Sequence, residues 1–264
     1  MVTLVTGATG TTGRRVVAAL EADGVTVRRA SRSASGFDWA DPTTHDAAFD
    51  GADALYLMAP VGEADPLPVV GPVLRRALER GLRRVVLLSS SLIEPSSTGY
   101  GGLATLVREA PEWTVLRPSW FAQNFTGDHA VAAGVRAGRV VTATGRGRVP
   151  FVDADDIAAV AAVAVQGGAP GEQLITGPAA LSYDEACDVA AEVVGHPVEH
   201  LSVSFGEFVD HQVAAGLPRP MAEVLAGLDE LIAASAEDRI TDVVERVTGR
   251  PPRPLDTVLR AALA

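Results

Sequence analysis

The chain has 264 residues, 47% of them hydrophobic, which suits one large α/β domain or one domain with a small lobe. Its net charge of −11 argues against a nucleic-acid partner, and its apolar run from Ile157 to Val165 is too short to cross a membrane. One cysteine, Cys187, excludes an intrachain disulfide and a cysteine-clustered metal site and reads as a small buried residue. All 22 basic residues are arginine, so lysine chemistry is excluded. The N-terminus enters an apolar strand without a basic leader, and a cytoplasmic protein is expected.

In chain order, Val2–Thr6 is a short apolar run, Gly7-Ala8-Thr9-Gly10-Thr11-Thr12-Gly13 follows, and Arg14 to Ala22 is amphipathic. Strand, glycine-rich turn and helix in that order hold a dinucleotide pyrophosphate against a helix N-terminus, where free N–H groups and the positive dipole end meet the anion. Gly7 permits the tight turn, Gly10 lets the backbone approach the phosphates, and Gly13 lets the helix pack closely. Thr9, Thr11 and Thr12 complete the expected cradle. The spacing is GxxGxxG rather than the usual GxGxxG, so the flanking strand and helix carry much of the argument.

A second strand, 25–30, leads to Ser31 and Arg32. An acidic residue for an NAD ribose belongs about 20 residues past the glycines. No carboxylate lies between Val25 and Phe37. A guanidinium there forms a charge-assisted fork with a 2′-phosphate, which favours NADPH over NADH. The alternative is that Arg28, Arg29 and Arg32 are solvated surface arginines. Asp38 is a later cofactor candidate, at the adenine edge.

Further strands are expected at 54–58, 84–89 and 113–117, with a short one near Phe37. Helices are expected at 12–23, 43–49, 66–80, 100–109, 120–136 and 155–166. Alternation of this kind marks a parallel sheet whose ligands bind at the carboxyl ends of the strands. After Gly167 the texture changes. A strand and turn over 174–177 and a helix from Ser182 to Val194, with Ser182 and Glu185 as a capping box, lead into a largely helical stretch over 205–246. The expected fold is therefore α/β, a doubly wound parallel sheet with a smaller, mostly helical C-terminal lobe. The expected division is 1–166 for the dinucleotide and 167–264 for the substrate lobe. The Arg75, Arg76, Arg80, Arg83 and Arg84 cluster reads as a solvated helix face. Asp153, Asp155 and Asp156 read as N-capping residues, and His196, His200 and His211 lack zinc-like spacing, so no metal is expected.

Thr6–Gly13, Val27–Arg32, Tyr56–Pro60, Arg84–Ser91, Leu116–Phe125 and Phe151–Ala158 together resemble the NmrA-like atypical short-chain dehydrogenases, with Leu116–Phe125 the most specific segment. The resemblance implies a Rossmann fold and an NADPH-dependent reductase of quinones, imines or dyes, or a redox-sensing regulator that binds the cofactor without turnover. A homodimer is a further expectation at family level. Short-chain dehydrogenases generally pair a tyrosine with a lysine four residues on. Tyr100 is followed there by Ala104, and no lysine exists anywhere. Hydride acceptors that need little acid assistance, such as quinones and iminium ions, remain. The family's usual lysine or histidine slot falls near Tyr100, which is either a proton donor or a loop tyrosine covering the cofactor. Ala59-Pro60-Val61 is expected beside the adenosine ribose or pyrophosphate. Among Ser89, Ser90 and Ser91, one hydroxyl is expected to reach ribose or substrate. Trp120, Phe121 and Asn124 are expected to line an aromatic substrate pocket, with Gln123 and His129 as weaker candidates and Phe125 in the core. The leading expectation is reduction of a quinone or an aromatic polyketide intermediate in bacterial secondary metabolism. An imine reductase and an NADP(H)-sensing protein are the alternatives, and a sugar-nucleotide epimerase is disfavoured because it usually needs the tyrosine–lysine pair.

Overall fold

A computed structural model describes residues 1–60, 62–63 and 65–263. The strands in chain order are β1 (Val2–Thr6), β2 (Thr26–Ala30), β3 (Ala54–Leu57), β4 (Arg84–Leu88), β5 (Glu112–Pro118), β6 (Arg139–Thr142), β7 (Arg148–Val149), β8 (Gly171–Ile175), β9 (Leu181–Ser182) and β10 (Glu199–Ser202). The helices are α1 (Gly13–Ala22), α2 (Arg32–Ser35), α3 (His45–Phe49), α4 (Leu67–Glu79), α5 (Gly99–Val107), α6 (Ala130–Ala137), α7 (Ala154–Val165), α8 (Tyr183–Val194), α9 (Phe205–Ala214), α10 (Arg219–Ala233), α11 (Val243–Thr248) and α12 (Leu255–Leu263).

The chain divides into two compact units. The first takes Met1–Pro118, Ala154–Ile175 and Val243–Arg250, and the second takes Ser119–Asp153, Thr176–Asp242 and Pro251–Ala264. A single cut after residue 166 does not describe this division. Strand β8 lies beyond that cut, yet it pairs with β5 in the first unit and satisfies backbone groups that would otherwise be an open edge. Residues 119–153 lie before the cut and build the second unit.

The first unit is a parallel six-stranded sheet in the order β2-β1-β3-β4-β5-β8. Its central strands are apolar runs buried on both faces, as parallel strands covered by helices on both sides must be. Leu4, Leu55, Leu57, Val85, Leu87 and Val115 form one face, packed on Val70, Val73 and Leu74 of α4 and Leu103, Leu106 and Val107 of α5. Helices α1 and α7 pack together, α1 against β1 and β2 and α7 against β3, β4 and β5. No strand forms near Phe37. Gly36 ends α2 in the left-handed conformation, and the chain turns again at Asp41-Pro42. Phe37 instead joins an aromatic cluster, edge-on to Trp39 at 4.9 Å and tilted against Phe49 at 6.2 Å. The sheet therefore ends at β2.

The second unit is mostly helical, with four short strands among its described residues. It holds a parallel pair, β6 with β10, and an antiparallel pair, β7 with β9. The helix expected over 120–136 is broken. Trp120 and Ala122 exchange backbone hydrogen bonds with Val152 at 2.9 and 2.8 Å, a 3-10 turn covers Ala122–Phe125, and Gly127 adopts a positive φ before α6 begins. The core centres on Phe125, Phe151 and Tyr183, with edge-to-face contacts of 5.1 and 5.4 Å. The capping box at α8 is present: Ser182 Oγ accepts the Glu185 N–H at 3.2 Å, and Glu185 Oε2 accepts the Ser182 N–H at 2.8 Å. The same device opens α9 with Ser204 and Glu207.

Asp229 on α10 is buried, and its Oδ2 accepts the Ala143 N–H at 2.8 Å. Burial pushes its carboxyl from 3.8 up to about 6 against the opposing pull of that N–H. The neutral form is favoured in the folded state. This contribution is complete below the unfolded value and is lost as pH rises through about 6. Asp229→Asn should therefore stabilise the protein above neutrality by about 1–2 kcal/mol, with the difference vanishing toward about pH 4. Urea unfolding at both ends of that range checks it, and equal stability at high pH would reject the assignment.

Candidate nucleotide and substrate sites

The carboxyl ends of the first unit's strands carry the glycine loop. Strand β1 stops at Thr6, whose Oγ1 accepts the Met58 N–H at 2.7 Å and so ties the ends of β1 and β3. Gly7 has φ +63° and its carbonyl accepts the Gly10 N–H at 2.9 Å, closing a tight turn. A Cβ on Gly7 would lie 2.6 Å from Met58 Sδ, and one on Gly13 would lie 2.1 Å from the Gly7 carbonyl oxygen. The first turn of α1 thus presses on the turn that leaves β1, and only glycine permits it. Thr12 is a buried N-cap whose side chain caps nothing. The N–H groups of Thr9, Thr11, Thr12 and Gly13 donate to no acceptor among the described residues. They are oriented donors at a positive helix end, the chemistry a pyrophosphate requires.

The three arginines around β2 differ in what they do. Arg28 Nη1 donates to the Ala48 and Asp50 carbonyls, and Arg29 is held by both carboxylate oxygens of Glu21 at 2.7 and 2.8 Å. Arg32 is exposed and has no hydrogen bond or ion pair among the described residues. Ser31 caps α2, its Oγ accepting the Ala34 N–H at 3.1 Å. Asp38 Oδ1 accepts the Ala40 N–H at 3.0 Å, and its carbonyl accepts from His45 Nε2, so much of its bonding shapes the local turn. Ala59 is buried and Pro60 half-buried just past β3; Val61 lies outside the described residues.

At the end of β4 the Ser89 N–H donates to the Leu116 carbonyl at 2.8 Å and the Ser91 N–H to the Pro118 carbonyl at 3.0 Å. Ser90 is half-buried and Ser91 buried. Ser89 Oγ is buried and has no hydrogen-bond partner among the described residues, so it is a hydroxyl available to a ligand. Tyr100 stands in the first turn of α5, half-buried against the aliphatic core. Burial, and then the charge of Glu63, push its phenol up, so it stays protonated and able to donate at neutral pH. A depression of about 260 Å³ beside Arg84, Trp113 and Gly171 lies at the opposite, amino ends of β4, β5 and β8.

The remaining candidates belong to the second unit. Trp120 and Phe121 are half-buried, with Trp120 packed on the Phe125–Tyr183 core. Asn124 is half-buried in the 3-10 turn, and Phe125 is fully buried. Gln123 is half-buried, and its Nε2 donates to Asp153 Oδ1 at 2.8 Å. His129 caps α6, and burial pulls its imidazole down. Asp153 is fully buried and forms an ion pair with Arg253, while in the first unit Asp155 pairs with Arg15 at 2.5 Å. Sequence reasoning missed Met58, which fills the space over Gly7, and Glu237, fully buried with its Oε2 accepting from Ser119 Oγ at 2.6 Å. Neither had a local signal, because each acts on a residue far away in the chain.

Gly13→Ala should destabilise the protein by at least about 3 kcal/mol and abolish nucleotide binding, because the new Cβ meets a backbone carbonyl that has nowhere to go. Gly227→Ala, in the interior of α10 with nothing within 4 Å of its Cβ position, should instead stabilise by about 0.5–1 kcal/mol. Thermal melts of the two variants check the contrast.

No family model matches the chain. It is 41% identical over 271 residues to the uncharacterized oxidoreductase YesF of Bacillus subtilis, spanning 99% of this chain and 95% of that one. It is 31% identical to festuclavine synthase I of Penicillium roqueforti, spanning 96% and 95%. In structure it is similar to an Escherichia coli NADPH-dependent quinone oxidoreductase solved with NADPH, with a TM-score of 0.82 and 21% identity over 100% of both chains. A Citrobacter triphenylmethane reductase complexed with NADP(H) superposes with a TM-score of 0.78 and 23% identity, covering 99% of this chain and 100% of that one. The glycine loop, the parallel sheet and 41% identity to an oxidoreductase over nearly the whole chain agree: the chain belongs to the NAD(P)-binding Rossmann oxidoreductases of the atypical short-chain dehydrogenase, NmrA-like type.

Proposed function

We propose that the protein is an NADPH-dependent reductase that delivers hydride to a flat, conjugated small molecule, a quinone or an aromatic polyketide intermediate. The observation that carries the cofactor choice is Arg32, exposed and without a partner among the described residues at the end of β2, where no carboxylate stands to receive an NAD ribose. NADH remains the weaker ligand in this reading. The unengaged N–H groups of the glycine loop fit a pyrophosphate, and the glycines leave no Cβ between backbone and anion.

When bound, the reduced nicotinamide supplies the hydride. The chain's own residues bind and orient. Loop N–H groups hold the pyrophosphate, Arg32 holds the 2′-phosphate, and the Ser89 hydroxyl finds its missing partner in ribose or substrate. Ser31, Asp38, Ala59 and Pro60 lie along the adenosine side. Tyr100, kept protonated by burial, offers a proton to the substrate oxygen. Ser91 of the first unit, and Trp120, Phe121 and Asn124 of the second, are the candidates for substrate contact. The absence of lysine removes the usual means of lowering a tyrosine pKa, which supports acceptors whose reduced form is already stabilised. The structural neighbours include a quinone oxidoreductase and a reductase acting on triphenylmethane dyes, both conjugated substrates. The same lack of lysine favours an imine or iminium acceptor as the second reading. A cytoplasmic homodimer in bacterial secondary metabolism completes the proposal.

Loss of reduced-nicotinamide absorbance, followed with a panel of quinones, hydroxyanthraquinones and cyclic imines, tests the reading. Rapid oxidation with a quinone is expected; tight NADPH binding with no oxidation across the panel would make the protein a sensor instead. Arg32→Ala should weaken NADPH by about 1–3 kcal/mol and spare NADH, and equal loss of both would remove the phosphate assignment. Tyr100→Phe should lower kcat with nucleotide affinity unchanged, and an unaltered kcat would leave Tyr100 a purely structural role.

A further inference from the structure

Helix α1 opens on a charge that nothing nearby balances. Its first turn contains Arg14 and Arg15 and no acidic residue. Cations at a helix N-terminus are opposed by the positive end of the dipole. Arg15 is neutralised by Asp155 at 2.5 Å, and its Nη1 donates to the Thr11 carbonyl at 2.8 Å. Arg14 is exposed and has no side-chain partner among the described residues, in a chain with 33 acidic and 22 basic residues.

Its position follows from the packing of α1. Glu21 of α1 holds Arg29 of β2 with both carboxylate oxygens, so that flank of the helix looks toward β2. Arg14 precedes Glu21 by seven residues, and at 3.6 residues per turn it returns to the same flank within about 20°. It does so at the loop end of the helix. There β2 also ends: the Ala30 carbonyl accepts the Ala8 N–H at 3.4 Å, and Ser31 and Arg32 follow. Arg14 and Arg32 therefore flank the end of β2 from two elements, both exposed and both without a side-chain partner among the described residues.

We infer that Arg14 is a second anchor for the 2′-phosphate, and that it forms with Arg32 a two-arginine clamp that sets the preference for NADP(H) over NAD(H). The inference rests on the dinucleotide reading proposed above. A phosphate monoester carries close to two negative charges and three peripheral oxygens, more than one guanidinium fork satisfies. The same anion relieves the uncompensated cation at the start of α1.

Isothermal calorimetry on the full chain, with NADP⁺ and NAD⁺ as the probes, decides it. Arg14→Ala is expected to weaken NADP⁺ by about tenfold while NAD⁺ stays within about twofold, and Arg14→Lys should fall between, keeping charge without the fork. The double variant Arg14→Ala, Arg32→Ala should bind the two nucleotides alike. Both sites are exposed, so melting temperatures of the free variants should match the wild type. Unchanged NADP⁺ affinity in Arg14→Ala, or equal loss for both nucleotides, overturns the inference. If wild type prefers NADP⁺ and Arg32→Ala alone erases the preference, only the Arg14 assignment fails. If wild type does not prefer NADP⁺, the underlying cofactor reading fails with it.

Discussion

The nucleotide end of this molecule depends on one close approach, that of Gly13 to the Gly7 carbonyl. A methyl group at Gly13 would sit 2.1 Å from that oxygen, so the first turn of α1 lies directly on the turn that leaves β1. This contact aims the start of the helix at the space beyond the strand ends. The consequence is a set of backbone donors with no acceptor among the described residues, held at a positive helix terminus. Met58 closes the other side of the same turn, and Thr6 holds Met58 in place through its backbone. Sheet register, loop shape and anion chemistry are one construction.

Charge is distributed to match. Exposed pairs such as Arg29–Glu21 contribute little to stability, about 0–1 kcal/mol each, but they decide which arginines remain available. Among the described residues, Arg15, Arg28 and Arg29 are held by protein groups, and the Arg14 and Arg32 side chains are not. The second unit also buries carboxylates. Asp153 with Arg253 and Glu237 with Ser119 are buried arrangements whose disruption would strand a carboxylate away from water, a far larger penalty than losing a surface pair. These bonds join stretches distant in the chain and hold the residues around Trp120 to a rigid frame.

Much of the fold was legible in the sequence because its signals are local. The alternation of apolar runs and amphipathic helices gave the parallel sheet, and Ser182-x-x-Glu185 gave the start of α8. Two expectations failed for reasons that local pattern does not carry. Phe37 has the composition of a strand residue, but the turns on either side of it leave it to stack on Trp39 and Phe49. The apolar spacing of Phe121 and Phe125 is helical, but pairing of Trp120 and Ala122 with Val152 costs the helix its first turns.

The sequence by itself determined the strand–glycine-turn–helix unit, the missing carboxylate after β2 and the absence of any lysine, since each is a property of a few consecutive residues or of composition. Only the tertiary structure decided which side chains are free to act. It distinguished Arg32 from Arg28 and Arg29, and it left the buried Ser89 Oγ without a hydrogen-bond partner among the described residues. It also brought β8 beside β5 and buried Glu237 against Ser119. Availability is what remains after long-range hydrogen bonds and ion pairs have claimed their partners, and those partners are fixed by packing rather than by neighbours in the chain.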